Sequence, residues 1–487
     1  MVDLDEDAEA IAQQSPANLD FKPNPLDAAY VMYTSGSTGQ PKGVVGLHGA
    51  TINRFEWMWS EFPFTAGEVA CQRTSVSFVD SIWEMLGPLL AGVPIVIVSN
   101  ETAKDPSATV DLLSRFGVTR LLTVPSLLAA LLESSVNVRT ELPNLRLWFT
   151  SGEYLSEDLV RRFQQALPDR ELINIYGSSE VAGDILFERV TGDGKPAIGR
   201  PLANSRAYVL GRGARLLPSG VTGDLFVAGS NLARGYLDRA DLTAERFLPN
   251  PFSTVPGDRM YATGDRVRQL PDGRIEFVGR LDHQVKVRGF RIELEEVECA
   301  LRLHPHVRDA AVCVRDDGAG GSLVAYAERN AEPITADELR RFVASQQPEH
   351  MVPAAVVWVD SLPRLPNGKL HRSALKEIET IIPETEFVPP ETDAELALAA
   401  IWIDLLGVSR VGALDNFFDL GGHSLLAIRL TSRLRDQFGV EVPLRKVFLH
   451  PTLAQLAAEV ETILLDEIEV LSDDEARLRL SPVSDNE

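Results

Sequence analysis

Tyr33-Thr-Ser-Gly-Ser-Thr-Gly-Gln-Pro-Lys-Gly43 stands directly after an apparent strand, Tyr30-Val-Met-Tyr33, and its reading decides the fold. Its hydroxyls and glycines let backbone N–H groups and short side chains wrap an anion, and Lys42 adds a point charge, a combination suited to a polyphosphate. A Walker A loop is excluded, because Pro41 occupies a position where that motif requires glycine. A flexible linker is a poor alternative for a Ser/Thr/Gly run that ends in Pro-Lys-Gly behind a strand.

Around this loop, over residues 28 to 190, short apolar runs (Pro94 to Val98, Arg120 to Val124, Leu145 to Phe149) alternate with amphipathic stretches such as Ser156 to Leu167. That is the rhythm of an α/β sheet with crossover helices. From 198 to 280 the segments shorten and alternate, with Pro-Ser-Gly and Leu-Pro-Asp-Gly turns between them, as in Gly223 to Ala228 and Gly273 to Val278, so antiparallel β structure is expected. Residues 284 to 375 read as a small α+β unit, with helices over Glu293 to Leu303 and Ala336 to Ser345 and strands over His306 to Arg315 and Ser322 to Glu328. Ile381 to Thr392 is rich in Pro and Glu, as linkers are, and the residues after it hold helical periods alone, among them Ala394 to Leu406 and Ser424 to Phe438. The expected fold class is multidomain α/β: a larger α/β and β-rich subdomain over 1–281, a small α+β subdomain over 282–380, a linker over 381–392, an all-α bundle over 393–465 and an acidic tail over 466–487.

A chain of 487 residues is too long for one compact core, and 45% hydrophobic, 24% charged and 7% aromatic residues exclude collagenous or disordered classes. Seventy acidic against 47 basic residues, a net charge of −23, argue against a nucleic-acid partner. Residues 1–30 and 466–487 together supply −12 of that charge and read as solvated ends. Cys71, Cys299 and Cys313 form no disulfide or zinc pattern, fit a reducing compartment, and are expected as buried neutral thiols. The apolar run Leu89 to Val98 is broken by Gly92 and Pro94 and is far short of the roughly 20 residues of a membrane span. The acidic start is unlike a signal peptide. A soluble cytoplasmic protein with no membrane partner is expected.

Three further segments carry candidate chemistry. Tyr176-Gly-Ser-Ser-Glu180 joins an aromatic able to stack on a purine to Glu180, a hard oxygen ligand suited to Mg²⁺, unless it is an ordinary strand-to-turn junction. Lys369 follows Pro366-Asn-Gly, a tight turn that could project it into a cleft, although most lysines in such turns are simply solvated. Ser424 follows two glycines and a histidine at a helix start, which exposes its hydroxyl; Leu426 stands where a nucleophile elbow needs glycine, so an esterase serine is disfavoured and a helix N-cap is the plain alternative.

Taken in order, the loop at 33–43, Phe78 to Glu84, Asn174 to Glu180, Gly223 to Leu237, Tyr261-Ala-Thr-Gly-Asp265, Gly279 to Arg291 and Leu365 to Leu370 resemble the adenylation domains of nonribosomal peptide synthetases, within the adenylate-forming superfamily. Asp415-Asn-Phe-Phe-Asp-Leu-Gly-Gly-His-Ser-Leu-Leu426 resembles the attachment site of a peptidyl carrier protein. The resemblance covers essentially the whole chain and implies ATP, Mg²⁺ and 4′-phosphopantetheine as cofactors. It implies Thr34, Ser35, Gly36, Ser37, Thr38, Gly39 and Lys42 at the phosphates, Tyr176, Asp265 and Arg280 at the nucleoside, and Glu180 at the metal. It makes Lys369 the catalytic lysine that bridges the attacking carboxylate and the α-phosphate, an electrostatic role. A hinge at Asp282 would then withdraw Lys369 and bring the Lys286 to Arg288 face to the site for the second step. Ser424 would bear the phosphopantetheine, with Leu420, Leu425 and Leu426 as core and docking surface.

The chain departs from the family in two places. Adenylation domains carry a much longer stretch before the phosphate loop, so the opening of the larger subdomain is expected to be missing, which leaves independent activity open. Domains for α-amino acids have Asp directly after the phenylalanine at Phe78, where this chain has Val79 and then Asp80. The family's pocket positions fall on Val79, Asp80, Trp83, Thr123, Phe149, Ser151, Ile175, Gly183, Asp184 and Lys369, a set similar to that of domains selecting β-alanine or related β-amino acids. If Asp80 starts a helix, the one-residue shift turns its carboxylate by about 100° and could meet an amine one carbon farther out. Asp184 could be a second amine ligand, or read a polar group of a diamino acid; alternatively Asp80 merely caps a helix and Asp184 anchors an ordinary α-amine. The expected function is adenylation of an amino acid and its loading onto the chain's own carrier arm. A phosphopantetheinyl transferase and a downstream condensation or acyl-transfer enzyme are the expected partners. A catalytically inert carrier or scaffold and an acyl-coenzyme A ligase are the alternatives.

Overall fold

The computed structural model describes residues 7–17, 21–35, 41–99, 102–103, 105–133, 137–192, 194–280, 284–287, 290–315, 321–330, 334–364, 370–375, 378, 387–418, 420, 422, 424–440, 442–443, 446–447 and 450–470. Three apolar runs of the opening region pair in parallel as Arg120–Thr123, Leu147–Thr150 and Glu171–Tyr176. Leu186–Arg189 and Arg200–Pro201 continue this sheet antiparallel. The helices Pro106–Arg115, Pro125–Glu133 and Glu157–Ala166 cover it, and their starts are chemically marked. Asp105 accepts from the N–H groups of Ser107 and Ala108 just before Pro106, and Ser156 accepts from that of Leu159. Their apolar stripes bury Val110, Leu113, Leu128, Leu131 and Phe163 against Trp148 and Leu172.

The strand before the phosphate loop, Ala28–Thr34, joins a different sheet. It pairs antiparallel with Lys42–Leu47, which pairs with Gly235–Tyr236. Thr34 faces Lys42 in this ladder, so both ends of the loop are fixed; Gly36, Ser37, Thr38 and Gly39 lie outside the described residues. The expected antiparallel part is a six-stranded sheet in the order Arg215–Leu216, Ser205–Gly211, Thr222–Gly229, Arg259–Gln269, Phe247–Pro249, with Ile275–Arg280 also on Arg259–Gln269.

In the small unit, Val307–Arg315 and Ser322–Arg329 pair antiparallel and the helices Leu294–Arg302 and Ala336–Gln346 accompany them. Two elements here were not expected. Ala355–Val359 adds a parallel strand, and Gln284–Val287 with Phe290–Glu293 forms a hairpin. The first is a short, unbroken apolar run whose periodicity is uninformative. Cys71 and Cys313 are buried as expected, but Cys299 is exposed. Its helix buries Leu294, Val297, Glu298 and Leu301, a helical stripe that puts position 299 on the outer face.

The bundle packs Asp393–Leu406, Ser424–Phe438 and Leu453–Val470 around Trp402, Phe417, Leu430, Leu434 and Leu456. Thr392 and Glu395 form a capping box at its start, and Gly407 closes the first helix in the left-handed region. The last helix continues to Val470, past the expected end of the bundle at 465, because the apolar period persists through Ile468 and Val470. At the other end, the short helix Ala8–Ala12 buries no side chain, in keeping with a solvated terminus. Among the described residues no helix is long and apolar enough to cross a membrane.

Candidate functional site

One tight turn organises the site. After the strand Glu171–Tyr176, the chain folds back on itself so closely that a Cβ at Gly177 would lie 2.0 Å from the Gly183 carbonyl oxygen and 2.6 Å from the Asp184 Cα. Only glycine fits there. Ser179–Val181 makes one 3₁₀ turn, and Ala182 and Gly183 both take positive φ to reverse the chain. The turn hangs two buried carboxylates, Glu180 and Asp184, four residues apart on one short support.

Glu180 is fully buried and surrounded by cations. Arg291 Nη1 donates to Oε2 at 2.9 Å and to Oε1 at 3.2 Å, Lys42 Nζ lies 3.5 Å from Oε1, and the Tyr236 hydroxyl donates to Oε1 at 2.9 Å. Burial alone would raise this carboxyl, but Arg291 and then Lys42 overcome it and hold Glu180 well below the usual carboxylate range. Burial and Arg291 lower the Lys42 ammonium, against the pull of Glu180. An ionised, hard oxygen donor is the right chemistry for Mg²⁺ shared with substrate phosphates. A metal there would compete with the Arg291 guanidinium for both oxygens and be repelled by its charge.

Arg291 belongs to the small unit's hairpin, so the Glu180 pair seats that unit on the larger one. Two contacts support it: the Ser35 hydroxyl donates to the Arg291 carbonyl at 2.7 Å, and Phe78 meets Phe290 edge-on at 5.2 Å; within the small unit His350 stacks on Phe290 at 3.9 Å. Burial lowers His350 to about 4, which leaves a neutral ring in that stack. Lys286 Nζ sits 5.9 Å from the Tyr176 ring centroid. Asp282 and Arg288 lie outside the described residues, as does Lys369.

Tyr176, Asp265 and Arg280 come together as the sequence suggested. The Tyr176 hydroxyl donates to one Asp265 oxygen and Arg280 donates to the other. The last two residues are direct partners across the ladder of Arg259–Gln269 and Ile275–Arg280. Burial, then Asp265, raises the Tyr176 hydroxyl, so it remains a donor at neutral pH. A buried carboxylate beside an aromatic ring has the acceptors and stacking face a nucleoside needs.

A small pocket opens next to this turn, lined among others by Tyr30, Arg54, Val79, Asp80, Trp83 and Ala182. Asp80 is the first residue of the helix Asp80–Leu90 and is half-buried, so the helix start on which the expected rotation depends is present. Glu84 anchors this helix, accepting from the N–H groups of Arg73 and Thr74 at 3.0 and 2.7 Å. Asp80 lies over Gly183: a Cβ there would be 3.1 Å from Asp80 Oδ1 and 3.5 Å from Val79 Cγ1. Asp184 is engaged elsewhere. Arg54 Nε and Nη2 both reach its Oδ2, and the guanidinium lies 5.1 Å from the ring centroids of both Trp57 and Trp83. Burial raises Asp184 while Arg54 opposes it; Asp80, lifted first by burial and then by Asp184, stands at about 7.

The remaining pocket positions are arranged less directly. Phe149, Ile175 and Trp83 share one apolar cluster with Phe55 and Trp57, forming the pocket's packing. Thr123 and Ser151 are buried at the sheet's end, where the Thr123 hydroxyl donates to the Phe149 carbonyl at 3.1 Å and the Ser151 N–H donates to the Thr123 carbonyl at 3.0 Å. Arg54, Tyr30 and Arg291 were not singled out in the sequence. A signal for Arg54 existed: it is a lone cation on the stripe of Ala50, Phe55 and Met58 that the helix His48–Glu61 buries. Arg291 gave no comparable signal, since its partner is 111 residues away.

In the bundle, Ser424 opens its helix as expected. Gly422 approaches Phe417 so closely that a Cβ would lie 2.3 Å from the Phe417 carbonyl oxygen, which fixes the chain just before the serine. Leu420 and Leu426 pack against the bundle core, and the side chain of Leu425 lies outside the described residues.

The AMP-binding enzyme family matches residues 2–237, the AMP-binding enzyme C-terminal domain residues 296–369, and the phosphopantetheine attachment site residues 397–460. The chain is 41% identical over 460 residues to a dimodular nonribosomal peptide synthase of Bacillus subtilis, covering 93% of this chain and 19% of that protein. It is 42% identical over 475 residues to phosphinothricin tripeptide synthetase PhsB of Streptomyces viridochromogenes, covering 93% of this chain and 39% of that one. The chain thus spans well under half the length of these relatives. Among solved structures it is similar to a nonribosomal peptide synthetase protein containing adenylation and carrier domains, bound to a vinylsulfonamide inhibitor, with a TM-score of 0.74, 27% identity, and coverage of 94% of this chain and 76% of that one.

Proposed function

The chain belongs to the amino-acid-adenylating ligases of nonribosomal peptide synthesis, joined to a carrier domain, and from this premise we propose that it activates a β-amino acid of the β-alanine type. ATP and Mg²⁺ serve the adenylating part. The 4′-phosphopantetheine on Ser424 supplies, when attached, the thiol that takes the aminoacyl group.

The observation that carries the substrate reading is the division of labour between two carboxylates: Asp184 is closed by Arg54, while among the described residues none is ion-paired to Asp80. Asp80 is therefore the carboxylate available to an incoming ammonium group, and Val79 beside it is apolar and buried. An α-ammonium placed against Val79 would be desolvated without a partner, which is costly. An amine one carbon farther out reaches Asp80.

In this reading Lys42 and the 33–43 loop hold the phosphates and Glu180 holds the metal when Arg291 is withdrawn. Tyr176, Asp265 and Arg280 hold the nucleoside. Lys369 stabilises the charge that develops between carboxylate and α-phosphate, and Asp282 is the hinge that exchanges it for the Lys286 face. The domain division expected from the sequence, with 1–281 and 282–380 as adenylating subdomains and 393–465 as carrier, is retained. A cytoplasmic location, a phosphopantetheinyl transferase and a downstream condensation enzyme complete the proposal. ATP–pyrophosphate exchange with β-alanine, 3-aminobutyrate, 2,3-diaminopropionate and the common α-amino acids tests it. Preference for β-alanine or 3-aminobutyrate supports the reading, and preference for an α-amino acid without a β-amine overturns it.

A further inference from the structure

Arg54 is an unusual residue to find where it is: 2% exposed, set among tryptophans, and lining a pocket for a positively charged group. Asp184, its partner, is absent from the pocket lining among the described residues and lies behind it. The substrate therefore meets the guanidinium rather than the carboxylate. Among the residues lining the pocket and Asp184 behind it, Arg54 and Asp184 cancel and Asp80, when ionised, leaves a net charge of −1, enough for one ammonium group. Arg54 Nη1 and the Tyr30 hydroxyl are buried without a hydrogen-bond partner among the described residues; the first can only donate, while the hydroxyl can donate or accept. A second ammonium, a donor only, would face them with its positive charge toward the guanidinium. The spare Asp184 Oδ1 belongs to an already neutral pair.

We propose that Arg54 is a specificity-determining residue: by covering Asp184 it restricts the pocket to substrates with a single ammonium group and turns away diamino acids. This rests on the adenylating function above and deepens its choice of substrate.

The test uses the full chain and two non-reactive aminoacyl-sulfamoyl adenosine analogues, of β-alanine and of 2,3-diaminopropionate, with dissociation constants from calorimetry. Wild type is expected to favour the monoamine. Arg54→Gln uncovers the Asp184 charge and is expected to move the ratio of dissociation constants toward the diamine by about ten- to a hundredfold, the worth of one charge-assisted hydrogen bond. Arg54→Lys keeps the positive charge and should keep the wild-type ratio. Because Arg54→Gln leaves a buried carboxylate unpaired and could fail to fold, the double variant Arg54→Gln/Asp184→Asn supplies a neutral pair of similar shape, which restores the net charge of −1 and is expected to restore the monoamine preference. An unchanged ratio in folded Arg54→Gln, with both analogues weakened equally, overturns the proposal in favour of a packing role. If wild type prefers the alanine analogue to the β-alanine analogue, the β-amino-acid reading falls, and the alanine to 2,3-diaminopropionate ratio then decides on Arg54 alone. Failure of every analogue to bind folded wild type overturns both.

Discussion

Replacing Arg291 by alanine separates the two half-reactions. Arg291 makes the contact that seats the small unit, donating to both oxygens of a fully buried Glu180 at 2.9 and 3.2 Å. Removing one partner of a buried pair costs about 3 to 5 kcal/mol when the other is stranded. Glu180 is not wholly stranded here, because Lys42 at 3.5 Å and the Tyr236 hydroxyl at 2.9 Å remain. A loss of about 2 to 3 kcal/mol in favour of this arrangement follows, or roughly 30- to 150-fold in its population. With the hairpin carrying Lys286 turned to the site, this is the arrangement assigned to aminoacyl transfer. Arg291→Ala should therefore slow transfer from preformed adenylate to the carrier by that factor, followed as a mass increase of the intact chain. Pyrophosphate exchange should stay within a few-fold of wild type, since Glu180 is freed. Equal losses in both assays, or a loss of exchange with transfer intact, would refute the seating argument.

Three further outcomes are expected. Asp80 is raised to about 7 by burial and by Asp184, with Glu84 adding to this and Arg54 and Lys286 opposing it, so the carboxylate loses its charge as pH falls through neutrality. Activity toward β-alanine at subsaturating concentration should then drop about fivefold between pH 7 and 6, and Asp80→Asn should be weak and flat over that range. Gly177→Ala drives a Cβ into backbone 2.0 Å away, and a destabilisation near the upper end of the ~1 to 3 kcal/mol of overpacking should show as a lowered unfolding temperature of the adenylating part with loss of exchange. Ser424→Ala should abolish the pantetheine mass increase produced by a broad-specificity transferase while leaving exchange unchanged; a persisting increase would remove the carrier assignment.

The sequence conveyed most where one local rule governs. Parallel strands such as Arg120–Thr123 announced themselves as apolar runs between amphipathic helices, and the structure caps helix starts with Asp105, Ser156 and Thr392, residue types suited to it. Asp80 does open a helix, which the sequence offered only as a condition, and no side chain caps that start. What could not be read depends on distant partners. The charge state of the pocket is set by Arg54 and Asp184, 130 residues apart, and no periodicity links them. Cys299 shows the smaller version of this problem: composition predicts a buried thiol, and only the stripe buried by its helix puts it outside.

The turn closed by Gly177 joins two tasks that are usually considered apart. In the proposed reading Glu180 serves phosphate chemistry and Asp184 amino-acid choice, yet three residues and one folded-back peptide separate them. A lineage drifting toward a new substrate cannot remodel positions 181 to 183 without re-aiming Glu180, so variants there are exposed to selection on turnover whatever they gain in discrimination. The opposite wall is tied to the turn through the Arg54–Asp184 pair but bears no ligand of the phosphate side. Arg54 and Asp80 sit on the helices His48–Glu61 and Asp80–Leu90, each held by its own packing. Divergence in substrate, natural or engineered, has its open path through those helices.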